Sequence, residues 1–166
     1  MKNFNILSTN SRSITPKIDS FIEYLKELET SIAFLTETWL TDSPELEQDL
    51  EELEIATGYR IIHKNRPSNN RGYSTGGVAL AYRKSDLSLK PISLPGNDFE
   101  ILFSVGTLPR FTRVLIAICV YLPPGMSGSS VRSALEYLVD AILEFKNRYN
   151  DPVSYTHLTL PTIYSV

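Results

Sequence analysis

Two hydrophobic periods alternate along the chain, and their order predicts layers of strands and helices. Residues 4–9 alternate, with Phe4, Ile6 and Ser8 on one face and Asn5, Leu7 and Thr9 on the other, which predicts a short first strand ending on Asn10. A polar loop follows and closes on a helix-start signal, Thr15 at the cap and Pro16 at the first helical position. Over 17–29, Ile18, Phe21, Ile22, Leu25 and Leu28 fall at helical spacing, so one face should pack on a sheet. The apolar run Ile32, Ala33, Phe34 and Leu35 then predicts a buried strand over 31–37 that delivers Glu37 to its carboxyl end. Strand, helix and strand together give a βαβ-like opening, which favours an α/β fold over an all-helical one.

Ser43 and Pro44 repeat the cap-plus-proline signature and open an acidic helix to about Leu53, with Gly58 as the stop. Residues 59–65 read as a strand and 67–72 as a polar surface loop. The next strand, 76–82, is led in by Gly76 and Gly77. It lacks the Gly-x-Gly-x-x-Gly spacing and no helix pattern follows it, so close backbone packing explains the glycines better than a phosphate loop. Short strands over 87–94 and 100–106 flank a Pro95-Gly96-Asn97-Asp98 turn. The most β-like run, 113–121, predicts a central strand buried on both faces that ends at Tyr121, with Pro123 and Pro124 preventing its continuation. Over 130–149, Val131, Leu135, Leu138, Val139, Ile142 and Phe145 predict a long amphipathic helix.

Composition narrows this picture only a little. The 166 residues, 42% hydrophobic, amount to one domain or part of a larger one. The single cysteine, Cys119, lies in an apolar run, which fits core packing and a reducing compartment. No signal-peptide pattern opens the sequence, and no stretch reaches the roughly 20 apolar residues of a membrane helix. A net charge of −3 argues against coating nucleic acid by bulk electrostatics. Acids cluster at Glu45, Glu47, Asp49, Glu51, Glu52 and Glu54, and bases at Arg60, Lys64, Arg66, Arg71, Arg83 and Lys84. The bases could face nucleic acid or be solvated charge flanking a loop.

Glu37 and Tyr121 are both polar-tipped side chains at the ends of buried strands, where α/β folds collect ligands. Position alone leaves open a Glu37 that merely faces water or caps a helix. Five features taken together do more: Asn10 after the first strand, the run Thr36-Glu37-Thr38-Trp39-Leu40-Thr41, Gly58-Tyr59, Gly76-Gly77-Val78-Ala79, and Tyr121-x-Pro123-Pro124. In order and spacing they resemble the endonuclease domain of LINE-type (non-LTR) retrotransposons, within the endonuclease/exonuclease/phosphatase superfamily. The resemblance covers 1–152. It implies the N-terminal part of a four-layer α/β sandwich, truncated, with two mainly antiparallel or mixed sheets flanked by helices. It also implies Mg²⁺-dependent hydrolysis of a DNA phosphodiester, in which Glu37 binds the metal, Asn10 helps order the metal or phosphate site, and Tyr121 hydrogen-bonds the scissile phosphate. The neighbours of Asn10, Thr9 and Ser11, depart from the commoner family residues.

Such a parent would nick DNA in the nucleus to prime a downstream reverse transcriptase domain of the same polypeptide. A repair-type abasic endonuclease, another phosphoesterase, or a decayed non-catalytic interaction fragment are the other readings; Trp39-Leu40-Thr41 and Tyr121-x-Pro-Pro favour the retroelement. The family's next strand ends Gly-Asp-Phe-Asn, and later segments bring another Asp and the catalytic His. No such pattern stands here after Asp151 and Pro152. Instead 153–166 resembles a translated frame of a transposase-type sequencing adapter, and it is set aside as a non-native tail, His157 with it. His63 lies at the wrong place for the catalytic base and reads as a packing or surface histidine. The expectations are therefore an incomplete domain over 1–152, no activity of the chain by itself, and, for want of the second sheet, a large exposed apolar face.

Overall fold

The computed structural model describes residues 3–66, 76–96, 98–108, 114–149 and 152–159, the last seven as backbone alone. Among the described residues eight strands form two four-stranded sheets, and three α-helices accompany them. β1 (Asn5–Asn10), β2 (Thr30–Thr36), β4 (Val78–Arg83) and β3 (Tyr59–Lys64) make the first, in the order β1-β2-β4-β3. β1 and β2 are parallel, joined by α1 (Ile18–Glu27), and the other pairs are antiparallel. The second sheet runs β5 (Ser88–Ile92), β6 (Glu100–Thr107), β7 (Val114–Tyr121), β8 (Val153–Thr159), with β7 and β8 parallel.

The side-chain period of two explains why these strands are apolar without interruption. Ile32 and Phe34 of β2, Leu80 and Tyr82 of β4, and Ala117 and Cys119 of β7 meet in one core between the sheets. Their neighbours point the other way. Ala33, Leu35, Ala79 and Ala81 pack with Ile22 and Leu25 of α1 and with Leu46 and Leu50 of α2 (Pro44–Thr57). Ile116, Ile118 and Val120 pack with Leu138 and Phe145 of α3 (Gly128–Tyr149). Helices, sheet, sheet and helix are the four layers of the expected sandwich.

The second sheet is thus present, and the large apolar face expected from its loss is closed by β6 and β7. What supplies its fourth strand is the segment set aside at sequence level: Val153–Thr159 pairs with β7 from Leu115↔Val153 to Tyr121↔Thr159. An open β7 edge accepts any extended backbone of suitable propensity, so the pairing carries no information on the origin of that segment.

Local differences are instructive. Thr15 does not cap α1; Thr15–Lys17 is a 3₁₀ turn and no side chain caps either it or α1. Ser43 does cap α2, its Oγ accepting from the Leu46 amide at 3.2 Å, and the helix runs on to Gly58 in the left-handed conformation at φ 74°. Leu28, Leu135 and Val139, expected on buried helix faces, are exposed; Ala134 and Ala141 take that place on α3. Helical spacing alone does not distinguish two adjacent apolar stripes. At least four of the six clustered bases pair with a carboxylate, Arg60 and Lys84 while staying about half exposed. Arg60 and Lys84 both pair with Glu54, Arg83 with Asp86 at 2.5 Å, and Arg66 with Glu100; Arg71 and the loop over 67–72 lie outside the described residues.

Candidate active site

β2 ends at Thr36, one residue before the expected boundary, and Glu37 turns out of the sheet in a left-handed conformation at φ 53°. Trp39 (φ 54°) does the same, as do Arg12 (φ 43°) and Ser13 (φ 71°) on the adjoining loop. Such conformations cost non-glycine residues about 1–3 kcal/mol each and persist where the surroundings over-determine them. Here both flanks do so. On one side the Ser13 amide donates to the Glu37 carbonyl at 2.8 Å and the Ile14 amide to the Thr38 carbonyl at 3.0 Å. On the other, the Trp39 amide donates to the Gly76 carbonyl at 2.8 Å and the Thr38 amide to the Gly77 carbonyl at 3.3 Å.

This turn presents the half-buried Glu37 carboxylate to Tyr121, whose hydroxyl donates to Glu37 Oε1 across the two sheets. Burial chiefly, with the hydrogen bond to Glu37 and the Glu37 and Glu100 charges behind it, pushes the Tyr121 phenol well above its usual range; Arg66 opposes the shift. Tyr121 is therefore a neutral donor at physiological pH. Asn10 stands at the end of β1 with Thr36 as its register partner, exposed, its Oδ1 accepting from the Arg12 amide at 3.1 Å. The ends of β1, β2 and β7 thus gather the three residues singled out in the sequence, two in direct contact and the third one strand away. His63 lies on β3 with Nδ1 3.0 Å from Asn65 Oδ1, apart from this cluster.

Sequence reasoning missed Glu100. It begins β6, pairs in register with Tyr121, and is only 6% exposed. A carboxylate at the head of the apolar run 101–103 was its one visible signal.

Among the described residues no three His, Cys, Asp or Glu side chains converge as a metal cluster. The donors at hand are the Glu37 carboxylate, the Tyr121 hydroxyl and, on the next strand, the Asn10 amide oxygen. An oxygen set around one carboxylate suits Mg²⁺, which keeps several waters and substrate oxygens, and does not suit zinc.

No family model matches the sequence, and no curated protein matches it. Solved structures do. The endonuclease domain of TRAS1, a telomere-specific non-LTR retrotransposon, superposes with a TM-score of 0.57 at 13% identity over 94% of this chain and 58% of that one. An AP endonuclease from Archaeoglobus fulgidus gives 0.53 at 20% identity over 87% and 52%. An endonuclease/exonuclease/phosphatase from Bacteroides vulgatus gives 0.57 at 13% over 84% and 59%. The chain has the endonuclease/exonuclease/phosphatase fold. It spans between 52% and 59% of the length of these three structures.

Proposed function

We propose that this chain is part of a Mg²⁺-dependent DNA endonuclease of the LINE-type retrotransposon class, working beside a reverse transcriptase domain in the parent polypeptide. The observation that carries the reading is the Tyr121–Glu37 hydrogen bond, which joins the two sheets at the ends of β2 and β7. The sequence motifs around Glu37 and Tyr121 and the fold shared with the TRAS1 endonuclease domain support it.

In this reading Glu37 is the protein ligand of the metal. Tyr121 is a neutral phenol with one proton to donate: in this structure it orients the Glu37 carboxylate, and with DNA bound it would pass that donation to a phosphate oxygen without adding negative charge. Asn10 orders the metal or phosphate from the neighbouring strand. Bound there, Mg²⁺ would neutralise charge developing on the phosphoryl group and lower the pKa of an attacking water.

No residue of this chain matches the family's Gly-Asp-Phe-Asn motif or its general base, so the chain alone is expected to leave DNA uncut. The test is nicking of supercoiled plasmid with Mg²⁺, run on this chain and on the longer reading frame recovered past Pro152 from the source transcript. The longer product should nick, and Glu37→Ala should abolish it. Nicking by the longer product that survives Glu37→Ala overturns the assignment; Glu37-dependent nicking by this chain overturns its inactivity.

A further inference from the structure

We infer that Glu100 is a positioning residue for Glu37: its buried carboxylate fixes the Gly76–Gly77 backbone that in turn holds the left-handed turn carrying Glu37. The importance of that turn rests on the function proposed above, but the mechanical link does not. Both carboxylate oxygens are engaged. Glu100 Oε2 accepts from the Gly77 amide at 2.6 Å, and Oε1 accepts from Arg66 Nε. Glu100 thus holds a backbone amide with one oxygen and a guanidinium with the other.

The hydrogen bonds then run in series. Glu100 holds the Gly77 amide; the Gly76 and Gly77 carbonyls accept from Trp39 and Thr38; and these two residues follow Glu37 directly. The glycines are required for this approach. A Cβ on Gly76 would come within 2.8 Å of Glu100 Oε2 and of the Arg66 guanidinium, and one on Gly77 within 2.9 Å of Thr38 Oγ1. Their φ angles, 108° and 86°, lie in the region that favours glycine. Because Glu100 also faces Tyr121 in the β6–β7 register, one buried carboxylate sets the backbone on the Glu37 side while standing opposite the residue that binds Glu37. A buried charge is retained at such a place only when its partners satisfy it, and here a guanidinium and an amide do.

Hydrogen exchange on this chain tests the inference without reference to activity. Glu100→Ala should cut the protection of the Thr38 and Trp39 amides at least tenfold, while Ser13 and Ile14, bonded to the other flank of the same turn, keep theirs. Glu100→Gln, which retains volume and an acceptor for Gly77, should restore much of the Thr38 and Trp39 protection and serves if the alanine variant does not fold. The emission of Trp39, the chain's one tryptophan, should shift in the alanine variant and not in Leu138→Ala, which loosens α3 instead. Unchanged protection at Thr38 and Trp39, or equal loss at all four amides, overturns the inference. Mn²⁺ binding followed by relaxation of the solvent separates the two proposals. Binding unaffected by Glu37→Gln refutes the metal role of Glu37 and leaves the exchange result standing, whereas Glu37-dependent binding weakened by Glu100→Ala supports both.

Discussion

Tyr121 ends a strand of one sheet and Glu37 follows a strand of the other, 84 residues away in sequence, yet the hydroxyl of one donates directly to the carboxylate of the other. The contact is possible only because β2 and β7 face each other across one core and end on the same side of the molecule. Removing the hydroxyl leaves Glu37 without this donor while keeping the ring's packing. Tyr121→Phe should therefore destabilise the chain by about 1.5 kcal/mol, the low end for a hydrogen bond to a charged group because Glu37 is half-buried, as read from the midpoint of urea unfolding. A loss below a few tenths of a kcal/mol would mean that the bond contributes nothing in water.

Cys119 reports on the same sheet-to-sheet contact from the inside. Its Sγ lies 3.4 Å from the Leu35 carbonyl of β2, and burial pushes the thiol up to about 12. A thiol both inaccessible and un-ionised does not react. At pH 8 a disulfide reagent should modify the unfolded chain fully and the folded chain only at the rate of unfolding. Rapid labelling of the native chain would show that the sheets are not docked.

Tyr59 ties the first sheet to α1. Its hydroxyl donates to the Thr30 carbonyl at 2.7 Å and to the Leu25 carbonyl at 3.2 Å, and burial raises its pKa above the ordinary 10.0. The folded state then binds this proton more tightly than the unfolded one, so its contribution is complete below pH 10 and is lost as the pH rises through the folded value. Alkaline unfolding of the wild type should be steeper than that of Tyr59→Phe, which is less stable at pH 7 but has one fewer group to titrate.

The Ser43 cap is a local test of the reading of α2. Ser43→Ala removes the acceptor for the Leu46 amide and should cost about 1 kcal/mol. Thr15→Ala should cost much less, since Thr15 caps nothing. Thermal or urea unfolding of the two variants side by side decides between them, and equal losses would contradict the structure.

What the sequence determined by itself is what depends on neighbours a few residues away. The order of strands and helices, the parallel β1–α1–β2 opening, the Ser43 cap, and the close packing at Gly76 and Gly77 all follow from side-chain periods and backbone preferences that act locally. The resemblance of five short motifs then pointed to the fold that the two sheets display. Tertiary structure decided the rest. It chose Ala134 and Ala141 over Leu135 and Val139 for the buried side of α3, because how the helix lies against β6 and β7, not spacing, selects between adjacent stripes. It completed the second sheet with a segment that sequence reasoning had set aside, because an open edge is satisfied by hydrogen bonds that do not read side chains. And it brought Tyr121 to Glu37 and placed Glu100 behind them, since contacts across 84 residues depend on how two sheets stack and leave no periodic trace in either strand.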